Sequence, residues 1–336
     1  MLRNLVSWII LILLCLPYLV SAQARQWDPS KCLITKAAFD VGSGSTKVKV
    51  ARVDRCRKEI LQVLLEDQRP VPYKEDLTTS DRFSPTMIQQ GKQALIELKK
   101  AAVIKGAKAF EGVATSAFRT AKNGRELVNR WNKDQDLGLN LKVIHQKEEA
   151  HLGYVGAYPY AKSSSFVVWD IGGGSMQMLG KYREKIVDYN GQVASVTFKN
   201  HIIKNIQNKN PAAVASPNPI SKAEMEAAIA WIKATIPDKV HHDLRKLLGA
   251  GEVLGIGSVH RFAIGGQLEQ KSWTTQDLRK RLQRSIGKSD QKLGGGTYVS
   301  TNVSNMILVL GFMEALDIKK VTALKVNLSD GVLLKE

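Results

Sequence analysis

The stretch FVVWDIGGGSMQM, residues 166–178, carries the pattern that decides the fold. An apolar run of strand type ends at Asp170, three glycines and a serine follow, and a second alternating run begins at Met176. This order predicts a strand, a tight glycine turn and a return strand. Glycines let several backbone N–H groups approach one phosphate, and the carboxylate at the strand end can hold a hydrated cation or a water. An ordinary hairpin is the alternative that this stretch alone leaves open.

The same pattern occurs earlier in the chain, in AAFDVGSGSTKVKV at residues 37–50. The segments DVGSGS and DIGGGS agree at four of six positions, and both lie between β-branched runs. A repeated hairpin of this kind predicts two similar α/β halves that face each other. A phosphorylated ligand would then be held between the two turns.

Composition and charge narrow the possible functions. The chain has 336 residues, of which 44% are hydrophobic, so it is long enough for two domains with their own cores. Its formal net charge of +18 favours polyanionic partners such as polyphosphate, nucleotides, nucleic acid or anionic lipid, with solubility as the alternative explanation. The sequence contains no zinc-ligand spacing, no nucleophile elbow and no Walker A motif.

The N-terminus has the pattern of a secretory leader. A short basic segment precedes an apolar run at residues 5–16, Pro17 breaks the run, and residues 22–24 read Ala-Gln-Ala. This predicts a cleavable signal peptide over residues 1–24 and a secreted or periplasmic protein. The apolar run is short for a membrane span, so we expect no stable span after leader removal. An uncleaved anchor is the alternative.

Two cysteines flank the first hairpin. Cys32 and Cys56 are equally far from Gly44, so a regular hairpin centred there would place them directly opposite each other. Cross-strand Cβ separations suit a disulfide, and an exported protein permits one. We therefore predict a Cys32–Cys56 bond, with two unpaired thiols as the alternative.

Three further segments carry polar groups toward the predicted ligand. The strand at residues 109–114 runs into Thr115, Ser116 and Arg119, at the strand end where open α/β sheets bind ligands. A helix opening at Gln146 has an acidic pair in its first turn, which either complements the helix dipole or supplies a general base. Lys47 follows the first turn, where its ammonium either reaches a phosphate or is solvated.

Two more features can be interpreted either as ordinary structure or as part of a binding site. The turn at Gly257 and Ser258 follows another predicted strand and could supply a further anion-binding turn, although a lone Gly-x-Gly is a weak pattern. The basic helical run at residues 279–288 is either a solvated face or a wall for a polyanion.

These motifs, in this order, resemble the exopolyphosphatase/guanosine pentaphosphate phosphatase (Ppx/GppA) family. The matching segments are residues 40–47, 114–123, 148–150 and 170–175. The resemblance implies an α/β fold: a duplicated, actin-like (ribonuclease H-like) two-domain structure with its active site in the interdomain cleft. We expect an N-terminal domain at residues 25–160 and a C-terminal domain at 161–336, whose last helix could pack back on the first domain.

The family resemblance also implies the chemistry, which is hydrolysis of a terminal phosphoanhydride with Mg²⁺ or another divalent cation. Glu149 would activate water, and Arg119 would bind the terminal phosphate. Asp40 and Asp170 would position the metal or its waters, with Gln177 at a third metal-site position. The residues assigned to phosphate binding are Gly42, Ser43, Gly44, Ser45, Lys47, Ser116, Gly172, Gly173, Gly174, Ser175, Gly257 and Ser258.

One departure from the family pattern keeps alternatives open. Gln177 stands where the family usually has a glutamate, and a neutral amide would weaken direct metal binding. A glutamine there resembles the apyrase-type nucleoside di- and triphosphatases. The expected substrate is polyphosphate or a guanosine polyphosphate. The alternatives are an apyrase-like activity and a non-catalytic polyphosphate- or nucleotide-binding protein. We expect no sequence-specific nucleic acid partner, and a homodimer is possible.

Overall fold

Both glycine-rich stretches form β-hairpins in the structure, a computed structural model that describes residues 32–335. The first hairpin joins β1 (Leu33–Val41) to β2 (Ser45–Asp54), and the second joins β6 (Phe166–Ile171) to β7 (Met176–Tyr182). The two turns close with the same hydrogen bond: the amide at the first glycine donates to the carbonyl of the serine three residues later, at 3.0 Å and 2.9 Å. The predicted strand, turn and return strand are confirmed.

Each hairpin is the centre of one mixed sheet. The first sheet has the order β3-β2-β1-β4-β5, and the second has the order β10-β11-β9-β6-β7-β8. In both, three strands form an antiparallel meander, while the strand before the glycine turn pairs in parallel on its other side. The remaining strands are β3 (Glu59–Pro70), β4 (Ala109–Ala114), β5 (Asn140–Val143), β8 (Lys185–Gly191), β9 (Glu252–Ile256), β10 (Ser272–Thr274) and β11 (Lys320–Ala323).

Helices connect the strands and cover the sheets. The α-helices are α1 (Tyr73–Asp76), α2 (Pro85–Ile104), α3 (Ser116–Thr120), α4 (Gly124–Lys133), α5 (Gln146–Ala157), α6 (Ser195–His201), α7 (Lys222–Thr235), α8 (His242–Ala250), α9 (Gly265–Leu268), α10 (Thr275–Ser285), α11 (Val299–Ala315) and α12 (Leu328–Leu334). A π-helical segment at Val259–Ile264 follows β9. No helix among residues 32–335 combines the length and apolar character that crossing a membrane requires.

Local sequence explains where the longer helices begin. The Ser84 hydroxyl accepts a hydrogen bond from the Met87 amide, and Pro85 occupies the first helical position of α2. Helix α7 begins with a capping box, in which Ser221 and Glu224 satisfy each other's backbone amides. Each sheet packs its apolar face on such helices, which gives one large core in each half of the chain.

The last helix, α12, packs against the first sheet although it follows the second in sequence. Its residues Leu328, Val332 and Leu333 belong to a buried cluster with Ala38 and other side chains of β1, β2 and β4. The chain therefore crosses between the two sheets more than once. The domain boundary near residue 160 stays a prediction.

The strand register corrects one detail of the first hairpin. The predicted register placed Cys32 opposite Cys56, but Leu33 pairs with Asp54, which shifts the register by one residue. The reason is that the turn is centred between Ser43 and Gly44 rather than on Gly44. Both cysteines are disulfide-bonded in the structure, and their bond to each other stays a prediction. The predicted signal peptide lies outside the described residues.

Candidate active site

A cavity of about 540 Å³ lies where the glycine turns of both hairpins meet. The turn at 42–45 lines it from the first sheet, and Gly172, Gly173 and Ser175 line it from the second. The turns approach so closely that a Cβ added at Gly173 would lie 2.7 Å from the Ser43 Cβ. Glycine is required there because any side chain would push the two turns apart.

The carboxyl groups of Asp40, Glu75, Glu149 and Asp170 line this cavity together with one ammonium, that of Lys47. Asp40 and Asp170 end the two equivalent strands, Glu149 comes from α5, and Lys47 comes from β2. The Lys47 Nζ donates to the Asp40 Oδ2 at 3.1 Å. Burial alone would lower the Lys47 pKa, but the carboxylates of Asp40 and Asp170 outweigh it, so that this pKa is raised. The lysine therefore stays charged beside the acidic groups.

Glu149 is the buried member of the acidic pair in the first turn of α5. Its side chain is 4% exposed, whereas Glu148 points outward and forms an ion pair with Lys335 at 2.6 Å. Burial raises the pKa of Glu149 to about 7, although the neighbouring Arg119 opposes this shift. The acidic pair alone left a dipole role and a base role open, and the family resemblance pointed to Glu149; in the structure Glu149 is the member of the pair that lines the cavity.

Arg119 forms an ion pair with Glu149 and fixes the position of its carboxylate. Its Nη1 donates to the Glu149 Oε2 at 2.6 Å and to the Ile144 carbonyl at 3.0 Å, and its Nη2 donates to the Ser175 Oγ at 3.1 Å. Arg119 is not among the residues that line the cavity. Its direct contact with a terminal phosphate stays a prediction, while the contact with Glu149 gives it a second task, that of fixing this carboxylate.

Gln146 anchors the helix that carries Glu149, and the sequence analysis missed it. Its side-chain amide donates to the carbonyls of Met176 at 3.2 Å and Gly191 at 2.8 Å, both on the second sheet. These bonds fix the start of α5 beside the second hairpin. Nothing in the sequence around a glutamine at the first position of a helix indicates which strands its side chain will contact.

The Asp170 carboxyl packs against the third predicted turn. Gly257 has a φ of +80°, and a Cβ there would lie 2.6 Å from the Asp170 Oδ1. Burial raises the pKa of Asp170 to about 8, the neighbouring Glu149 adds to this shift, and Lys47 opposes it. Gly257 and Ser258 line the cavity, as Ser116 does from the end of β4.

Two predicted residues lie just outside the cavity wall. Gln177 is 1% exposed, and its Nε2 donates to the Ser175 Oγ at 3.1 Å. Its Oε1 is buried and has no hydrogen-bond partner among the described residues. Gly174 lies beside Ser116, since a Cβ on it would be 2.7 Å from that hydroxyl. Neither Gln177 nor Gly174 lines the cavity, so metal and phosphate contacts by them stay predictions.

The donor set fits a hard divalent cation. Asp40, Asp170 and Glu149 bring three carboxyl groups to one cavity, whose wall contains the single ammonium of Lys47 among the described residues. Their oxygens are not within 4.8 Å of one another as a three-ligand group. A hard divalent cation can be held by one or two carboxylates, with waters and phosphate oxygens completing its shell.

A further part of the cavity was not predicted from the sequence. It is lined by Phe262 from the π-helical segment and by Tyr298, the residue just before α11. Thr301 and Asn305, in the first two turns of α11, also line it. Three consecutive glycines, residues 294–296, precede Tyr298, and all three have positive φ angles. In the sequence, that glycine run was the one indication of an unusual backbone conformation next to the site.

Two similar halves, each with a glycine turn at the end of its central strand, face each other in this structure. This arrangement is that of the actin-like fold. The PPX-GPPA enzyme of Aquifex aeolicus superposes with a TM-score of 0.69 at 18% identity, over 90% of this chain and 100% of that one. An exopolyphosphatase from Cytophaga hutchinsonii also gives 0.69, at 14% identity over 88% and 96% of the two chains. These similarities establish the fold, and the predicted duplicated architecture is confirmed.

The sequence comparison identifies the family within that class. The model of the Ppx/GppA phosphatase family matches residues 50–336, and the chain belongs to this family. Exopolyphosphatase 2 of Mycobacterium tuberculosis is 31% identical over 169 residues, which are 48% of this chain and 52% of that protein. The match thus spans about half the length of this curated relative.

Proposed function

We propose that this protein hydrolyses the terminal phosphoanhydride bond of a polyphosphate or a nucleoside polyphosphate, with water as the nucleophile. The observation that carries the proposal is the Glu149 carboxyl, which is buried at the cavity wall and has a pKa of about 7. A general base works best when its pKa lies near the operating pH. Membership of a phosphatase family and the name of the exopolyphosphatase relative support the same reaction.

In this mechanism the Glu149 carboxylate accepts a proton from a water molecule. The water oxygen forms a bond to the terminal phosphorus while the bridging P–O bond breaks, and the electron pair of that bond leaves with the shortened chain. Arg119 keeps the carboxylate pointed at the cavity through its 2.6 Å hydrogen bond. The products are inorganic phosphate and a substrate shorter by one phosphate.

The two glycine turns and Lys47 would bind the phosphate oxygens. Glycine turns present backbone N–H groups, and an ammonium adds a point charge, which together stabilise the charge on the transferred phosphoryl group. Ser43 and Ser116 line the same wall and offer hydroxyl donors. A polar wall of this kind positions the phosphorus in front of Glu149.

Asp40 and Asp170 would hold the divalent cation, and Gln177 would contact it through water because the amide lies behind Ser175. When bound, such an ion neutralises phosphate oxygens and polarises the phosphorus. Burial and then the nearby carboxylates of Glu149 and Asp40 raise the pKa of Asp170, and a bound cation would offset both effects.

Glu149→Gln tests the proposal. Phosphate release would be measured with Mg²⁺ from tripolyphosphate, long-chain polyphosphate, ATP and GTP. We expect the variant to lose about 10²- to 10⁴-fold in turnover, which is the usual contribution of a general base. The matched control is Glu148→Gln, which changes the neighbouring exposed glutamate and should keep at least half of the wild-type rate.

Equal turnover by Glu149→Gln and the wild type would contradict the assignment of the base. Tight binding of these phosphate compounds without release by the wild-type protein would favour the alternative, a non-catalytic binding protein.

We also propose that the protein is exported. The leader pattern in residues 1–24 and the disulfide-bonded state of Cys32 and Cys56 support this, because such bonds persist in oxidising compartments. Expression of the full chain in a Gram-negative host, followed by fractionation and mass analysis, should give a periplasmic protein without the leader. Recovery of the intact chain from the cytoplasm would contradict the proposal.

A further inference from the structure

Two histidines and an aspartate lie together at the start of α8. His241 precedes the helix, His242 opens it, and Asp243 follows in its first turn. One nitrogen of each imidazole ring and one carboxylate oxygen lie within 4.8 Å of one another. None of the three residues lines the cavity between the glycine turns. These three residues, the His241–Asp243 cluster, therefore have no part in the proposed hydrolysis.

The distances within this cluster suit ligands of one small metal ion. The His241 Nδ1 lies 3.8 Å from the Asp243 Oδ2, and the His242 Nε2 lies 3.0 Å from the Asp243 Oδ1. Two ligands of a tetrahedral zinc ion, each about 2.0–2.2 Å from the metal, are about 3.4 Å apart. The two measured distances lie on either side of that value, so that small side-chain rotations would bring all three donors to one ion.

The imidazole rings are accessible to an ion from solvent and can make these rotations. The side chains of His241 and His242 are 56% and 61% exposed, and the centres of their rings are 4.3 Å apart. The Asp243 amide donates a hydrogen bond to the His241 Nδ1 at 3.3 Å. This bond holds the ring beside the carboxylate, and it is long enough that a metal could replace it.

The Asp243 carboxylate faces the imidazoles rather than a lysine or an arginine. Both of its ion-pair contacts among residues 32–335 are with His241 and His242, although Arg245 and Lys246 belong to the same helix. The carboxylate thus brings a negative charge to two neutral nitrogen ligands. The start of a helix disfavours a cation, but this effect is weak at an exposed position.

We propose that the His241–Asp243 cluster binds one divalent transition-metal ion of the zinc type. Imidazole nitrogens are good ligands for Zn²⁺, Cu²⁺ and Ni²⁺, whereas Mg²⁺ takes oxygen ligands. The cluster therefore differs in its chemistry from the proposed cation site of Asp40 and Asp170, which offers oxygen atoms alone. Three protein ligands leave a coordination position open for water or for a group of another molecule.

Zinc binding to the untagged full chain tests the proposal. Calorimetric titration of the metal-free protein with Zn²⁺ should show a site with a Kd below about 100 µM. His241→Ala and His242→Ala should each weaken this site at least tenfold, because even the loss of a residue that only orients a ligand costs about 10- to 100-fold. The matched control is His151→Ala, which removes another exposed histidine and should change the affinity by less than twofold.

Asp170→Asn separates the proposed zinc site from the carboxylates of the cavity. The zinc affinity of the cluster should stay the same in this variant, and it should also stay the same in excess Mg²⁺. A zinc site that is lost in Asp170→Asn and kept in His242→Ala would overturn the proposal, because the ion would then be bound in the cavity.

Imidazole NMR signals locate the ion directly. Zn²⁺ should shift the ring signals of His241 and His242 and leave those of His201, which stacks on Trp231, and of the buried His260. Unshifted His241 and His242 signals at saturating zinc, or the absence of a site below about 100 µM, would overturn the proposal. The cluster would then be an ordinary helix start. Neither result depends on phosphate release, so the proposed hydrolysis stands or falls separately.

Discussion

At the scale of single residues, the site depends on close approaches that leave no room for a side chain. Gly257 combines a φ of +80° with a Cβ position only 2.6 Å from the Asp170 Oδ1. Asp170 is half-buried near the end of β6, and a Cβ at Gly257 would displace its carboxylate from that place. The glycine therefore fixes both a turn and the position of a predicted cation ligand.

Gly257→Ala should lower the free energy of unfolding by about 2–4 kcal/mol, the sum of left-handed backbone strain and a displaced carboxylate. The control Gly287→Ala has a similar φ of +73° but no atom within 4 Å of the added Cβ, so it should cost only about 1 kcal/mol. Chemical denaturation of both variants measures the difference. Equal costs would show that the contact with Asp170 does not matter.

Residue-level prediction from the sequence had a clear limit. The two turns could be selected from their repeat, and the family resemblance pointed to Arg119 and Glu149. The burial that separates Glu149 from Glu148 could not be predicted from the sequence. The repeat shows why Gln177 was hard to place: Asp170 pairs with Gln177 in the strand register as Asp40 pairs with Lys47. Lys47 reaches its opposite carboxylate, whereas the shorter Gln177 bonds to Ser175.

At the scale of secondary structure, α12 joins the end of the chain to the first sheet. The Lys49 Nζ contacts both carboxylate oxygens of Asp330, at 2.7 Å and 2.6 Å, and both side chains are buried. The Lys36 Nζ donates to the carbonyls of Val332 at 3.1 Å and Lys335 at 2.9 Å, where a cation favours the C-terminal end of a helix. Two lysines of one strand pair thus hold the last helix in place.

Asp330→Asn should destabilise the protein by about 3 kcal/mol, because it removes the carboxylate that contacts the buried Lys49 ammonium. The control is Asp317→Asn, which breaks an exposed pair with Lys319 and should change stability by less than about 0.5 kcal/mol. Urea unfolding at neutral pH measures both. A cost below 1 kcal/mol for Asp330→Asn would show that α12 is held by apolar packing alone.

Elements with strong local signals could be predicted closely. The Ser84-Pro85 start of α2 and the Ser221 capping box of α7 came from side chains next to the helix itself. The one-residue error around Cys32 and Cys56 arose because the register depends on the turn geometry, which two glycines do not specify uniquely. The pairing of Lys49 with Asp330 spans 281 residues, and no local pattern could reveal it.

At the scale of the whole molecule, the cavity draws its groups from both halves of the chain. Asp40 and Lys47 come from the first sheet, and Asp170 and Ser175 come from the second hairpin. Pairs such as Lys199 with Glu75, at 2.7 Å, also join the two halves beside the cavity. A cation held by Asp40 and Asp170 would therefore link both sheets and stabilise the folded state as a whole.

Saturating Mg²⁺ should raise the Tm of the wild-type protein by about 2–4 °C, because a ligand that binds only the folded state adds to its stability. Asp170→Asn should lose most of this rise, since it removes one of the two proposed ligands. Asp136→Asn, a change at an exposed acid away from the cavity, should keep it. A full Mg²⁺ effect in Asp170→Asn would remove Asp170 from the proposed cation site.

The role of Glu149 as the base is the central claim, and the pH dependence of kcat/KM tests it most directly. Burial raises the pKa of Glu149 to about 7, and a base must be deprotonated to accept the proton of water. We therefore expect kcat/KM to fall about tenfold for each pH unit below about 7, and to level off above it. A rate that stays constant between about pH 5 and pH 8 would contradict Glu149 as the base.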